Sequence, residues 1–154
     1  MADPCRQQVV DAAKGRLLTV PALETAGAYK SPNVESNRIE PLDEEDLPSL
    51  VLFEGDERVI ELFTAEDTYD FSFAVQGAVK GTDDAAKAAA NVLRANVLAA
   101  LLADRTLGGK VRMLEAIAPG DFIGVDYKVD ATGFLLAFHA QYATREGDPY
   151  TFTP

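Results

Sequence analysis

The residues whose chemistry could do work are few and scattered. His139 is the sole histidine of the 154-residue chain, and strand alternation sets it beside Gln141 and on the opposite side from Phe138. A hydrolytic triad would need a Ser or Cys and an acid to converge on that imidazole, and no Gly-x-Ser-x-Gly elbow occurs. His139 therefore reads as a surface histidine. Glu54, Asp56, Glu57 and Glu61 are close in sequence, but a glycosidase pair needs two acids facing each other across a pocket, and no pocket can be read here. Zinc would need clustered Cys or His, and Asp43-Glu44-Glu45-Asp46 lacks the spaced Asp-x-Asp-x-Asp-Gly order that wraps calcium. Gly77-Ala78-Val79-Lys80-Gly81-Thr82 has the ingredients of a phosphate loop in the wrong order for Gly-x-x-x-x-Gly-Lys-Ser/Thr, and reads as a turn followed by a helix cap. These residues specify no enzyme, cofactor or metal.

Charge narrows the classes further. The net charge is -11, whereas gripping a phosphate backbone needs clustered Lys and Arg. From Glu40 to Asp70 the chain carries twelve of its 25 carboxylates against one base, Arg58. One face should be strongly negative. Such a face is either a solubilising surface, or a lining that repels a polyanion or a patch that meets a basic partner. The single cysteine, Cys5, cannot close an internal disulfide and reads as a free thiol in a reducing compartment. No signal peptide and no membrane-length apolar run is read, so the chain is expected to remain inside the cell that makes it, without a membrane partner.

The elements that must position these residues follow from periodicity. One domain, 1–154, is expected at this length. Val9, Val10, Ala13, Leu17 and Leu18 fall at helical spacing between Asp3 and Val20. From 21 to 48 the pattern gives way to Gly27, Pro32, Asn33, Asn37, Pro41 and the acid run, a long loop suited to touching a neighbour, with a short strand at Val34–Glu40. Leu50–Glu54 and Glu57–Thr64 read as a hairpin around Gly55-Asp56, and Tyr69, Phe71, Phe73 and Val75 as a half-buried strand. Thr82 caps a helix of about 22 residues, roughly 33 Å long, with Ala86, Ala90, Leu93, Val97 and Leu101 along one face. It ends near Arg105 in Asp104-Arg105-Thr106-Leu107-Gly108-Gly109, where a glycine can take the left-handed conformation that closes the last carbonyls. Val111–Ile117 and Phe122–Val129 read as strands around the turn Pro119-Gly120-Asp121, and Phe134–Tyr142 as the last strand, followed by a short tail, 145–154. The fold class is α+β: an antiparallel or mixed sheet packed on one face by two main helices.

In this order the parts resemble the tail-terminator (minor tail protein U-like) family of long-tailed bacteriophages and related prophages. The match runs from the first helix through the acidic, proline-marked loop and the strand at Leu50 to the Tyr69–Val75 strand. It continues along the long helix ending Leu101-Leu102-Ala103-Asp104-Arg105-Thr106-Leu107-Gly108-Gly109 to the last strand, Tyr142-Ala143-Thr144, before Asp148-Pro149. Its most specific piece is the Asp-x-Thr-Leu-Gly-Gly junction with that ending. The resemblance implies a structural virion protein that forms a ring, commonly a hexamer, at the head-proximal end of the tail. Its partners would be further copies of itself, the major tail tube protein and the head-tail connector; assembly would take place in the host cytoplasm. DNA would pass through without specific binding, with Glu40, Asp43, Glu44, Glu45 and Asp46 as lumen or interface residues. Another neck or tail-completion protein is the second reading, and a small enzyme or regulatory module the third.

Overall fold

Phe71, Phe73, Val75 and Val79 fall on one side of a strand, with Gly77 between the valines, and give it a fully buried side at the centre of the sheet. A computed structural model describes residues 3–25, 28–63 and 65–153. The loop residue Gly27, the expected strand end Thr64 and the terminal Pro154 lie outside the described residues. The elements run α1 (Cys5–Leu17), β1 (Leu23–Thr25), β2 (Ala28–Lys30), β3 (Asn33–Ser36), β4 (Ser49–Phe63), β5 (Glu66–Lys80), α2 (Asp84–Leu102), β6 (Met113–Ile117), β7 (Ala131–Arg145) and β8 (Asp148–Phe152). A single 3₁₀ turn, Glu44–Asp46, lies in the loop before β4. β1 and β2 form a small antiparallel pair, while the main sheet has the order β3-β4-β5-β7-β6, with β8 also on β7. Only the β3–β4 pairing is parallel within that sheet. The α+β class read from the sequence is the observed one.

Both helices lie on one face. Cys5, Val9, Val10, Ala13 and Leu17 of α1 and Ala86, Ala90, Leu93, Val97 and Leu101 of α2 meet Leu50, Leu52, Phe71, Phe73, Phe138 and Tyr142 in the main core. Phe73 stacks on Phe138 with ring centroids 5.4 Å apart, and Tyr69 on Tyr142 at 5.3 Å. Cys5 is a buried free thiol of that core, its pKa pushed up chiefly by burial. Asp83, not Thr82, caps α2, its Oδ1 accepting from the Ala86 amide at 2.9 Å.

Other expectations need correction as well. Gly55-Asp56 is not a hairpin turn: β4 runs straight through it with a bulge between Glu54 and Glu57, and turns into β5 only beyond Phe63, which pairs with Glu66. The glycine answers a close approach, since a Cβ there would come within 2.4 Å of the Phe122 ring. Phe122–Val129 forms no strand. It crosses the second face of the sheet, where Val125, Tyr127 and Val129 pack with Leu42, Leu47, Val51 and Ala78, joined to the acidic loop by a parallel bridge between Leu42 and Tyr127. Its alternation records one-sided burial without a ladder of neighbours. The tail is partly ordered into β8, with Phe152 edge-on to Tyr142 at 6.2 Å.

The junction after α2 is built by Asp104. The helix stops at Leu102, earlier than Arg105, and Asp104 Oδ1 accepts from the Thr106 amide and hydroxyl while Oδ2 accepts from the Gly108 amide at 2.8 Å. Leu107, Gly108 and Gly109 all have positive φ, and Leu107 is buried in the core, locking the turn to the body.

Candidate functional site

The second face carries the features that could meet a partner. At its lower end the loop before β4 folds back so that Leu42 and Leu47 are buried on the sheet while its carboxylates point outward. Asp43 caps the 3₁₀ turn in a reciprocal box with Asp46, whose carboxylate accepts from the Asp43 amide at 2.7 Å. That bond, followed by the Arg38 guanidinium at 2.9 Å, holds Asp46 below the usual carboxylate range. Arg38 also takes both oxygens of Glu35 at 3.0 Å. Lys30 donates to the carbonyls of Glu45 and Leu47, and Lys80 pairs with Glu44.

The five residues singled out from sequence therefore divide. Asp43, Glu44 and Asp46 hold the loop in shape; Glu40 and Glu45 are exposed, and their carboxylates make no ion pair among the described residues. Between Asn33 and Pro48 there are six carboxylates against Arg38 alone, so the surface stays negative after this pairing.

Further up the same face lies a cavity of about 460 Å³ between β4 and the segment after β6. Phe53, Ile117, Phe122 and Ile123 form its apolar wall, Ser72 its floor, and the exposed Asp56 and Asp121 its rim. Ile123 and Ile39, on the two segments that cover this face, are 85% and 86% exposed, the highest values among large apolar residues described. Met113 and Ile117 of β6 add partly exposed apolar surface beside them. Sequence reasoning missed this groove. The signal was Phe122 and Ile123 just beyond β6, apolar residues with no strand partner to explain them.

His139 stands at the top of the face, cross-strand from Ser72. Its Nε2 lies 2.8 Å from Glu115 Oε2 and its Nδ1 3.1 Å from Asp70 Oδ1. The Glu115 hydrogen bond, reinforced by the Asp70 charge, raises the imidazole pKa against the opposing effect of burial. Arg58 reaches Asp70 from β4 at 3.4 Å. Both ring nitrogens are thus held by carboxylates, and Ser72 has no free base to activate it. The arrangement is an ion-pair clamp between β5, β7 and β6. Of the four acids close in sequence, Glu54, Asp56 and Glu57 do not converge either, and the Glu61 side chain lies outside the described residues. Glu54 and Glu57 face the helix side, where Arg6 lies within 3.5 Å and 3.9 Å of them, and the Tyr142 hydroxyl donates to Glu57. Asp56 rims the cavity on the other face. Among the described residues no group of three His, Cys, Asp or Glu is placed to hold a metal ion.

Comparison with protein-family models and with curated proteins gives no match for this chain. The Gly77–Thr82 segment is not a plain turn: Gly77 to Lys80 are the paired end of β5, the chain turns only at Gly81 and Thr82, and Asp83 caps α2; Lys80 is paired with Glu44.

Proposed function

We propose that the protein is a structural virion component of the tail-terminator kind. Subunits close into a ring, six around, at the head-proximal end of a tail tube, end its polymerisation and offer a surface to the head connector. The observation that carries this reading is the Asp104–Gly109 junction. Its Asp accepts from the Thr and from the first Gly, and its Thr from the second Gly, in one capped turn between α2 and β6, and this built turn supports the reading. The order of helix, acidic loop, long antiparallel strands, helix, junction and closing strand supports the same reading.

If the acidic loop partly lines the ring, its negative surface keeps passing DNA from adhering. Neutralising Asp43 or Asp46 would undo the loop as well as its charge, so the informative change is Glu40→Gln with Glu45→Gln. Assembled particles carrying that pair should eject DNA more slowly, with normal ring formation. The broader test is deletion of the gene: tails of unregulated length in electron micrographs support a terminator, and tails of normal length exclude one.

A further inference from the structure

The outward face of α2 has an unusual composition for an acidic protein. Ala88, Val92, Ala95 and Ala99 fall on the helix directly opposite the buried Ala86, Ala90, Leu93, Val97 and Leu101. All four are exposed, Val92 by 51%. Lys87 and Arg94 flank this stripe on one side, and from Ala85 to Ala103 there is no acid. A solvated helix face normally carries polar residues of both signs. On the other side of the sheet, the groove walled by Phe53, Ile117, Phe122 and Ile123 is apolar within and acidic at its rim, through Asp56 and Asp121, with Glu115 exposed on β6 nearby.

We propose that these two surfaces bind each other between copies of this chain: the α2 stripe of one subunit seats in the groove of the next, Val92 against Phe122 and Ile123, with Lys87 and Arg94 over Asp56 and Asp121. Charge complementarity selects the occupant, because the acidic rim repels most of a molecule whose net charge is -11 and accepts an apolar helix face that carries bases and no acid. The free edge of β4 is the weaker alternative. It is acidic and interrupted by bulges between Glu54 and Glu57 and between Val59 and Glu61, devices that discourage strand pairing between copies. The stripe and the groove lie on opposite faces of the sheet. Their contact is therefore head-to-tail, the kind that closes a ring when the rotation per subunit divides the circle. The inference rests on the proposed function only for ring closure; the contact itself can be tested without it.

The test is disulfide trapping. Val92→Cys with Ile123→Cys, leaving buried Cys5 in place, should give a ladder of covalent oligomers under mild oxidation, with neither single variant going beyond dimer. Arg94→Glu should weaken self-association at least tenfold by sedimentation, Asp121→Arg likewise, and the two together should restore it. A ladder that closes at one size supports both readings; an open ladder without rings supports the contact and sinks the ring. Rings in micrographs with no trapped ladder and no effect of either charge reversal overturn the contact and leave the ring standing. A monomer at all concentrations and salts overturns both.

Discussion

His139 Nε2 lies 2.8 Å from Glu115 Oε2, a contact that ties the edge strand β6 to β7 and becomes an ion pair when the imidazole is protonated. The folded imidazole has a raised pKa, chiefly through that bond. Its stabilisation is present in full below the unfolded value of about 6.5 and is lost as pH rises through the folded value. Wild type should exceed His139→Gln in stability by about 0.5–1 kcal/mol near pH 6, a magnitude set by the exposure of both partners. The gap should shrink on the alkaline side. Thermal melts across that range decide it, and a gap that widens with pH contradicts the clamp.

Asp104 makes the opposite case. Hydrogen bonds from Thr106, then from the Gly108 amide, bring its pKa down to about 2. A depressed acid contributes above its unfolded value, about 3.9, and that contribution disappears as pH falls towards the folded value. Asp104→Asn keeps one acceptor oxygen and loses the charge. Its melting temperature should lie below that of wild type at neutral pH and converge with it in acid. Faster hydrogen exchange at the Gly108 amide in the variant would place the loss in the turn; unchanged exchange there would refute it.

Two glycines should respond to alanine with opposite signs. Gly108 has φ +71° with open space around a Cβ, so the cost is backbone strain alone, about 1 kcal/mol. Gly15 sits inside α1, again with nothing near a Cβ. Gly15→Ala should therefore stabilise by about 0.5–1 kcal/mol. Urea titrations of both variants test the pair, and the same sign for both would mean that one backbone has been misjudged.

What could be read in advance followed from periodicity. The α2 core face emerged residue for residue, because Ala86, Ala90, Leu93, Val97 and Leu101 obey a helical period. The β5 alternation gave Phe71, Phe73 and Val75 in the same way, but the strand is not half-buried: Ala74 and Gln76 on its other side are buried too, under the segment after β6. The failures occurred where a residue answers to a distant neighbour. Gly55 looks like a turn until Phe122 is seen pressed against it. Phe122–Val129 alternates like a strand although its polar partner is the side chain of Gln76 on β5. The acid run looked like free charge, and only its folded surroundings show that Asp43 and Asp46 are spent on a cap while Glu40 and Glu45 remain exposed. Local spacing carries no information about such long-range pairings.

Gln76 is the residue on which the groove's architecture depends most directly. It is 5% exposed, on the second face of β5. Its Oε1 accepts from the Val125 amide and its Nε2 donates to the Val125 carbonyl, each at 2.8 Å. On the sheet side the segment after the groove wall is thus fastened by this side chain, while the Leu42 backbone holds it from the acidic loop through bonds to Asp126 and Lys128. Gln76→Leu fills similar space but strands both Val125 groups without partners, at about 1–3 kcal/mol for a buried polar group left unsatisfied. If the segment swings away to find water, the global loss will be small and the amides of 122–127 will exchange faster. If it stays, the full loss will appear in the melting curve with exchange unchanged. Gln76→Glu separates the two outcomes, since the acid still accepts from the Val125 amide but faces its carbonyl without a donor once ionised. Its stability should rise as pH falls and the carboxyl protonates. A Gln76→Leu variant as stable as wild type, with unaltered exchange, would show that the Leu42 backbone bonds and the packing of Tyr127 and Val129 hold the segment without Gln76.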